Sequence, residues 1–334
     1  MARPVIIDTD GGVDDAVALW WALTDPALDV VAITVVWGNV PVTVAAESVL
    51  RVAHAAGRGD VPVAVGASGP LQPAPDLRPA TFIHGDDGLG NAAGPVAPIR
   101  PVDEPATALL ARVVRERPGE VTLVTLGPLT NIGVVVHDHP EFARDVAELF
   151  VMGGSARRGG NALPLGEANV AHDPIAAQRV VMARWARPPL LVGLDVTLAA
   201  TLTPTEFDLV AEHRNAAAAF LDAPLRFYRE FGSTFTAPDT PCHDLLAVVT
   251  VSMPEIVVHA PVLPLAVDCG GGAAWGTTVV DFRAPYFAAL EGSAQSAADG
   301  FAAWRVALAV DCERFRGCVR TLFGDPAQSG NGHG

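Results

Sequence analysis

The stretch PVIIDTDGGVDDAVAL, residues 4–19, decides the fold of this chain. Residues 4–7 are an apolar, β-branched run that predicts a buried strand. Apolar residues at helical spacing follow from Val13 to Leu19, and an acidic, glycine-containing loop lies between the two runs. The stretch therefore predicts a strand that passes through an acidic loop directly into a helix.

Four carboxylates crowd this loop, and they repel one another when they are buried together. They are Asp8, Asp10, Asp14 and Asp15. A bound cation is the simplest neutralising partner, and calcium and magnesium prefer carboxylate oxygens. The glycine pair at 11–12 allows the positive φ angles and the close backbone approach that a loop around an ion needs. In the alternative interpretation, the acids only cap the helix or line a solvated turn, but two glycines and four acids exceed what a cap needs.

Composition excludes several classes of function. The chain has 334 residues, a net charge of −15 and no lysine, since all 22 basic residues are arginine. The negative charge argues against binding to nucleic-acid phosphates. The missing lysine excludes Schiff-base chemistry and Walker-type phosphate binding. A small polar substrate is more plausible than a nucleic acid.

The sequence also indicates a compartment. No apolar run approaches the roughly 18 residues that a membrane helix needs, and the N-terminus enters a strand without a secretory signal. The four cysteines lack CxxC spacing and no export signal is seen, so we expect reduced core thiols rather than a disulfide framework. We therefore expect a cytoplasmic protein with no membrane partner.

Strands alternate with helices along the rest of the chain. Further strands are predicted at 30–36, 62–65, 121–126, 149–152 and 190–194, with an edge strand at 279–282. Helices are predicted at 42–57, 106–116, 129–136, 174–184 and about 204–231, and another begins near 240–244, whereas residues 301–317 give mixed signals. The alternation predicts an α/β fold: a single large domain, 1–323, with an open, mostly parallel, Rossmann-like sheet and helices on both faces. Residues 324–334 are expected to be a disordered tail.

One edge of that sheet collects the candidate site. The residues at predicted carboxyl ends of strands are Asp8, Asp10, Asn39, Leu126, Met152 and Asp195. In open α/β sheets, ligands bind at that edge. We therefore expect one site there, with Asp195 in a structural role.

These features together resemble the inosine-uridine-preferring nucleoside hydrolase family. The motifs that carry the resemblance are DTDGGVDD at 8–15, WGN at 37–39, HGDDGLG at 84–90, TLGPLTN at 125–131, VMGG at 151–154, GN at 160–161, GEANVAHDP at 166–174 and HD at 243–244. The resemblance implies calcium-dependent hydrolysis of the N-glycosidic bond of ribonucleosides, which yields free base and ribose in nucleoside salvage or catabolism. It also implies a homo-oligomer, either a dimer or a tetramer.

The resemblance assigns roles to individual residues. It implies that calcium is held by the side chains of Asp10, Asp15 and Asp244 and by the main-chain carbonyl of Leu126. It implies that Asp10 is the general base and His243 the acid for the leaving base. The residues implied for substrate binding are Asp14, Asn39, Met152, Asn161, Glu167 and Asn169 at the ribose, and His84 near the base. His84 either contacts the base or only shapes its loop.

The chemistry fits this assignment independently. Cleavage of an N-glycosidic bond builds positive charge on the sugar, which a pocket of carboxylates and amide oxygens stabilises. Two alternatives stay open: a catalytically silent module that binds ribose or calcium, and a haloacid-dehalogenase-type phosphatase. Asp8-Thr9-Asp10 resembles the nucleophile motif of that phosphatase class, but its essential lysine does not exist in this chain.

Some positions depart from the family pattern, and they leave the preferred base open. Gly11 replaces the commoner proline, and Trp275 stands where many members have arginine. The aromatic residues Phe227, Tyr228, Phe231 and Phe235 have helical spacing and are predicted to be core, although this segment borders the base pocket in the family.

Overall fold

A nine-stranded sheet forms the centre of the fold in the computed structural model, which describes residues 2–73, 77–235, 239–283 and 300–324. The strands, in chain order, are β1 (Arg3–Thr9), β2 (Leu28–Val35), β3 (Val63–Val65), β4 (Thr122–Thr125), β5 (Glu148–Met152), β6 (Leu190–Val192), β7 (Thr201–Leu202), β8 (Thr240–Pro241), β9 (Val257–His259), β10 (Val262–Val267), β11 (Thr278–Val280), β12 (Ala302–Val306) and β13 (Ala309–Val310). β7 pairs with β8 and β9 with β13 outside the main sheet.

The helices alternate with these strands. They are α1 (Val13–Thr24), α2 (Val42–Ala55), α3 (Thr81–His84), α4 (Ala106–Glu116), α5 (Thr130–Asp138), α6 (Phe142–Asp145), α7 (Ala168–His172), α8 (Pro174–Met182), α9 (Leu194–Thr197), α10 (Pro204–Ala211), α11 (Ala216–Phe235), α12 (His243–Ser252) and α13 (Cys312–Phe323). Short 3-10 turns lie at Pro254–Ile256 and Gly272–Ala274. Within the described part of the chain, every helix is too short or too polar to cross a lipid bilayer.

The sheet is mostly parallel and has a topological switch point. Its order is β11-β10-β12-β6-β5-β4-β1-β2-β3, and β10 runs in the opposite direction to the other eight strands. β1 pairs with β2 on one side and with β4 on the other, so the chain reverses direction across the sheet at β1. The carboxyl ends of β1 and β4 therefore open the crevice in which such sheets bind ligands.

Helices cover both faces of the sheet, as the sequence predicts. Val5 and Ile7 of β1 belong to one core cluster, together with residues of α1, α2 and α12, whereas Ile6 belongs to a second cluster with α4, α5 and α8. Successive side chains of a strand point to opposite faces, so a strand buried on both sides reads as one continuous apolar run. This confirms the predicted α/β architecture.

Two local predictions need correction, and one region without a prediction is now assigned. The strand expected at 190–194 ends at Val192, and Asp195 lies in α9 instead of at a strand end. The helical pattern at 204–231 is two helices, α10 and α11, separated where His213 has a φ of 50°. The mixed region 301–317 comprises β12, β13 and the start of α13. The expected tail lies outside the described residues apart from Gly324, which ends α13.

Candidate active site

The acidic loop lies where β1 gives way to α1, at the switch point of the sheet. Asp8 is the penultimate residue of β1 and is fully buried. Its Oδ2 accepts hydrogen bonds from Thr34 Oγ1 (2.6 Å) and Asn131 Nδ2 (2.8 Å). Its Oδ1 has no hydrogen-bond partner among the described residues, and burial raises the pKa of Asp8 to about 7. Asp8 thus ties β1 to β2 and α5.

Asn39, four residues after β2, holds two of the other carboxylates. Its backbone N–H donates to Asp10 Oδ2 (2.8 Å), and its Nδ2 donates to Asp10 Oδ1 (3.0 Å) and to Asp15 Oδ2 (3.1 Å). Asp15 also accepts hydrogen bonds from the Gly12 backbone N–H (2.8 Å) and the Thr9 hydroxyl. Asp15 therefore caps α1, and one amide draws both carboxylates together.

The glycine pair serves two different needs. Gly11 has a φ of +71°, the left-handed region that glycine enters without strain. Gly12 has a φ of −78°, so its backbone suits any residue. A Cβ at Gly12 would lie 2.6 Å from both Asn39 Nδ2 and His84 Nδ1, so this position needs glycine for space. The expectation of a positive φ is confirmed only for Gly11.

Helix α12 brings a further carboxylate to the loop. α12 packs against α1, and Asp244 in its first turn lies beside Asp14 and Asp15. One oxygen from each of these three buried residues lies within 4.8 Å of the others. Burial and the neighbouring charges raise the pKa of Asp14 to about 7 and the pKa of Asp244 well above its usual value. Burial and the Asp15 charge likewise raise the pKa of Asp10.

The cluster has no balancing cation in the part of the chain that the structure describes. There, no arginine forms an ion pair with Asp10, Asp14, Asp15 or Asp244. Among the same described residues, the one ion-pair contact of these four acids is between His84 Nδ1 and Asp14 Oδ1, at 3.9 Å. Buried carboxylates without a counter-charge either take up protons or bind a cation. The donor set of hard oxygens therefore fits a divalent metal ion.

The structure places the implied metal ligands as follows. Asp15 and Asp244 belong to the compact trio, and its third member is Asp14 instead of Asp10. Asp10 is joined to Asp15 through Asn39. The Leu126 carbonyl, directly after β4, accepts a hydrogen bond from Asn169 Nδ2 (2.7 Å).

A second group of the implied residues lies around α7. Glu167 caps α7 by accepting hydrogen bonds from the backbone of Asn169 (2.9 Å) and Val170 (3.1 Å), and it also accepts one from Gly154 (2.8 Å). Burial raises the pKa of Glu167. The Asn169 amide lies 3.3 Å from the Met152 sulfur. The structure thus brings Glu167, Asn169 and Met152 together beside Leu126.

Asn161 lies at the edge of this group. It is exposed, and its Oδ1 accepts a hydrogen bond from the Ala168 backbone N–H (2.9 Å). Asn161 thus contacts the start of α7 from the loop that precedes it.

The two histidines lie on the other side of the acidic loop. His84 is 5% exposed, and its Nδ1 accepts a hydrogen bond from the Val13 backbone N–H (3.1 Å), so its proton is on Nε2. His243 Nδ1 lies 2.8 Å from Thr197 Oγ1. Burial lowers the pKa of His84 to about 4, and burial together with the neighbouring His84 lowers the pKa of His243 to about 4.

Sequence reasoning missed some residues that shape this region. The Tyr228 ring lies 5.6 Å from the His84 ring, and burial and the charge of Asp14 raise the pKa of Tyr228. Thr197, the partner of His243, comes from α9, which follows β6. Helical spacing predicts only that Tyr228 is core, which it also is. Its contact with His84 depends on the packing of α11 against α3.

Comparisons of the sequence and the fold with known proteins identify relatives of this chain. A family model described as inosine-uridine preferring nucleoside hydrolase matches residues 5–317. A non-specific ribonucleoside hydrolase of Salmonella agona is 37% identical over 320 residues, 96% of this chain and 97% of the relative. A probable uridine nucleosidase of Arabidopsis thaliana is 34% identical over 258 residues, 77% of this chain and 80% of the relative.

A solved structure shares the fold. The plant nucleoside hydrolase PpNRh1 superposes with a TM-score of 0.88 at 31% sequence identity, covering 97% of this chain and 99% of the other. The family match and this likeness extend over nearly the whole sequence. The chain therefore belongs to the inosine-uridine preferring nucleoside hydrolase family.

Proposed function

We propose that this protein is a calcium-dependent ribonucleoside hydrolase, which cleaves the N-glycosidic bond to free base and ribose in nucleoside salvage or catabolism. Family membership supports the hydrolase class. The observation that carries the proposal is the buried acidic cluster of Asp10, Asp14, Asp15 and Asp244, in which oxygens of the last three lie within 4.8 Å of one another. Calcium binds through such oxygens.

The proposed calcium ligands are the side chains of Asp10, Asp15 and Asp244 and the carbonyl of Leu126. Their chemistry supports calcium, since every donor is a hard oxygen and three of them are carboxylates. Calcium accepts six to eight oxygens, so a diol and a water molecule would complete the set. When bound, the ion would hold the sugar hydroxyls and lower the pKa of the water.

Asp10 is proposed as the general base. Two donors of Asn39 fix its carboxylate, so its orientation does not depend on the substrate. In the proposed step, the water oxygen bonds to the anomeric carbon, Asp10 accepts the water proton, and the bond to the base nitrogen breaks with its electron pair on the base.

The ribose would be held between the acidic loop and α7. Asp14 at the start of α1 and Asn39 after β2 would approach it from one side, and Glu167, Asn169 and Asn161 would approach it from the other, with Met152 against the ring. The transition state carries positive charge on the sugar, and buried carboxylates stabilise that charge without reorganising. This environment supports hydrolysis through an oxocarbenium-like transition state.

His243 is proposed to assist the leaving base, and His84 to lie near it. A pKa of about 4 makes the His243 ring neutral at pH 7, so the group that it offers to the base is an N–H. We assign the Thr197 hydroxyl as the donor to Nδ1, which places that proton on Nε2. Donation to the base disperses the negative charge that develops when the bond breaks.

The test is an assay of free base and reducing sugar from inosine and uridine, with calcium or with a chelator. We expect turnover with calcium and its loss with chelator. A protein that binds calcium or ribose but releases no base from any ribonucleoside would be the silent binding module instead. The family assignment, which covers residues 5–317, excludes the phosphatase alternative.

We also propose a cytoplasmic homo-oligomer, either a dimer or a tetramer. Cys242, Cys269, Cys312 and Cys318 are free thiols in the structure, which suits a reducing compartment. Light scattering coupled to size-exclusion chromatography measures the assembly, and a mass of one chain would contradict the oligomer.

A further inference from the structure

Trp275 is bound to the end of α7, the short helix that carries Asn169. Its side chain is almost fully buried, and its Nε1–H donates to the carbonyl of Ala171 at 2.9 Å. The last carbonyls of a helix have no partner within the helix, and a buried carbonyl without a partner is costly. The Trp275 indole supplies the partner that the end of α7 lacks.

The residues after Trp275 pack against the same segment. Gly276 has a φ of +70°, and a Cβ at this position would lie 2.5 Å from the Cα of Ala171. Thr278 Oγ1 donates to the carbonyl of Ser155 (2.6 Å) and accepts from its N–H (2.7 Å). Residues 275–278 thus fix both α7 and the loop that follows β5.

α7 needs such support because it is only five residues long, Ala168–His172. A helix of little more than one turn is unstable alone, because the conformational entropy lost in nucleation exceeds the stabilisation from its few hydrogen bonds. At its N-terminus Glu167 caps it, and near its middle Asn169 Nδ2 donates to the Leu126 carbonyl (2.7 Å). A shift at the Ala171 end would therefore move Asn169 relative to Leu126 and Met152.

We propose that Trp275 is a positioning residue for the sugar: through its hydrogen bond to Ala171 it holds α7, and with it Asn169, in place to bind ribose. This inference rests on the proposed function of the site. Trp275 itself contacts neither Asn169 nor the acidic loop through any hydrogen bond among the described residues. Its effect is on binding of the sugar and is transmitted by the helix.

Trp275→Phe tests the hydrogen bond, because it removes the N–H and keeps an aromatic ring. We expect KM for uridine and inosine to rise about fivefold or more, with a smaller fall in kcat. Trp304→Phe is the matched control, since Trp304 is also buried and its Nε1–H donates to the Val181 carbonyl at the end of α8 (3.1 Å). The control should lower the melting temperature and leave KM unchanged.

A double variant separates positioning from general loosening of the fold. If Trp275 acts through Asn169, then Trp275→Phe adds no more than about twofold to the KM of Asn169→Ala. Independent, multiplicative losses in the double variant would overturn the inference. Binding of D-ribose, measured by calorimetry, gives a readout besides turnover, and Trp275→Phe should weaken it by the same factor as it raises KM.

Gly276→Ala disturbs the packing against α7 and leaves the Trp275 side chain itself unchanged. The added Cβ would press on Ala171, so KM should rise here too, and this variant carries the test if Trp275→Phe fails to fold. The outcomes are distinguishable. A wild-type protein that releases no base overturns the proposed function, whereas an active wild type in which Trp275→Phe behaves like Trp304→Phe overturns only the inference about Trp275.

Discussion

Both carboxylate oxygens of Asp10 accept hydrogen bonds from Asn39, which leaves the acid with a fixed orientation inside a buried cluster. A general base needs such an orientation, because a displaced carboxylate is no longer aligned with the proton that it accepts. The same carboxylate is a proposed calcium ligand, so its charge serves two purposes at once.

Asp10→Asn should lower kcat by at least about a hundredfold and weaken calcium binding. The substitution keeps the size of the side chain but removes its charge and its proton affinity. Steady-state kinetics and calcium titration measure both effects. Asp311→Asn is the control, since Asp311 caps α13 by accepting from Arg314, and asparagine caps equally well. Unchanged kcat in Asp10→Asn would remove Asp10 from the chemistry.

His243→Ala should slow inosine far more than a nitrophenyl riboside. The purine leaves as a poor anion that needs a donated proton or hydrogen bond, whereas nitrophenolate leaves unaided. The ratio of the two kcat/KM values is the measurement, because general damage to the site lowers both. Equal losses for the two substrates would show that His243 does not assist departure of the base.

The chemistry of individual residues was predictable only where a local pattern carried it. The loop of four aspartates and the pair His243-Asp244 are visible in the sequence. The hydrogen bonds from Asn39 to Asp10 and Asp15 are not visible in the sequence, because they join the segment after β2 to the segment after β1. Such contacts follow from register and strand order, which a linear pattern does not contain.

At the scale of elements, the turn between β1 and α1 tolerates no side chain at position 12. Gly12→Ala should lower kcat/KM at least about tenfold, because the added Cβ would displace Asn39 and His84. Its φ of −78° rules out backbone strain as the cause. The test measures kcat/KM and the melting temperature of Gly12→Ala against those of the wild type.

Gly57→Ala is the matched control for Gly12→Ala. Gly57 follows α2 with a φ of +74° and has open space around its Cβ position, so alanine costs about 1 kcal/mol of stability and no activity. If Gly12→Ala kept full activity while Gly57→Ala lost it, the space argument for the acidic loop would be wrong.

Most elements were predictable from apolar runs, and the exceptions have physical reasons. Parallel strands buried on both faces are recognisable in the sequence as continuous apolar runs. β11 lies at the edge of the sheet, as predicted. β10 was missed because Pro264 interrupts its pattern, although the residue pairs in register with Ala303. α7 was missed because five residues are too few to show a helical period.

At the scale of the whole molecule, the site joins distant parts of the chain. The acidic loop follows the first strand, whereas Asp244 comes from α12, and the packing of α1 against α12 brings them together. The rule for ligand sites in parallel sheets predicted that the site lies at the edge formed by the carboxyl ends of the strands. The family resemblance predicted that Asp244 joins the acidic loop there. Neither composition nor spacing alone would have connected residues 15 and 244.

Proton and metal binding should compete in this cluster, so calcium should stabilise the protein more at high pH. Burial and neighbouring carboxylates raise the pKa values of the proposed ligands Asp10 and Asp244 well above 3.8, and raise the pKa of Asp14 from 3.8 to about 7. Between these values the folded chain retains protons that the unfolded chain has lost. The free energy of unfolding of the metal-free protein therefore falls as pH rises towards 7, and stays low above it. Calcium replaces the protons as the source of positive charge.

The expected result is a calcium-induced rise in melting temperature of about 5 °C at about pH 8 and a clearly smaller one at about pH 5, at equal saturating calcium. Differential scanning fluorimetry with calcium or chelator measures both. Asp244→Asn should lose most of the rise at about pH 8, because it removes one carboxylate of the trio. A rise of equal size at both pH values would mean that the ion binds away from the buried carboxylates, and the proposed metal site would be wrong.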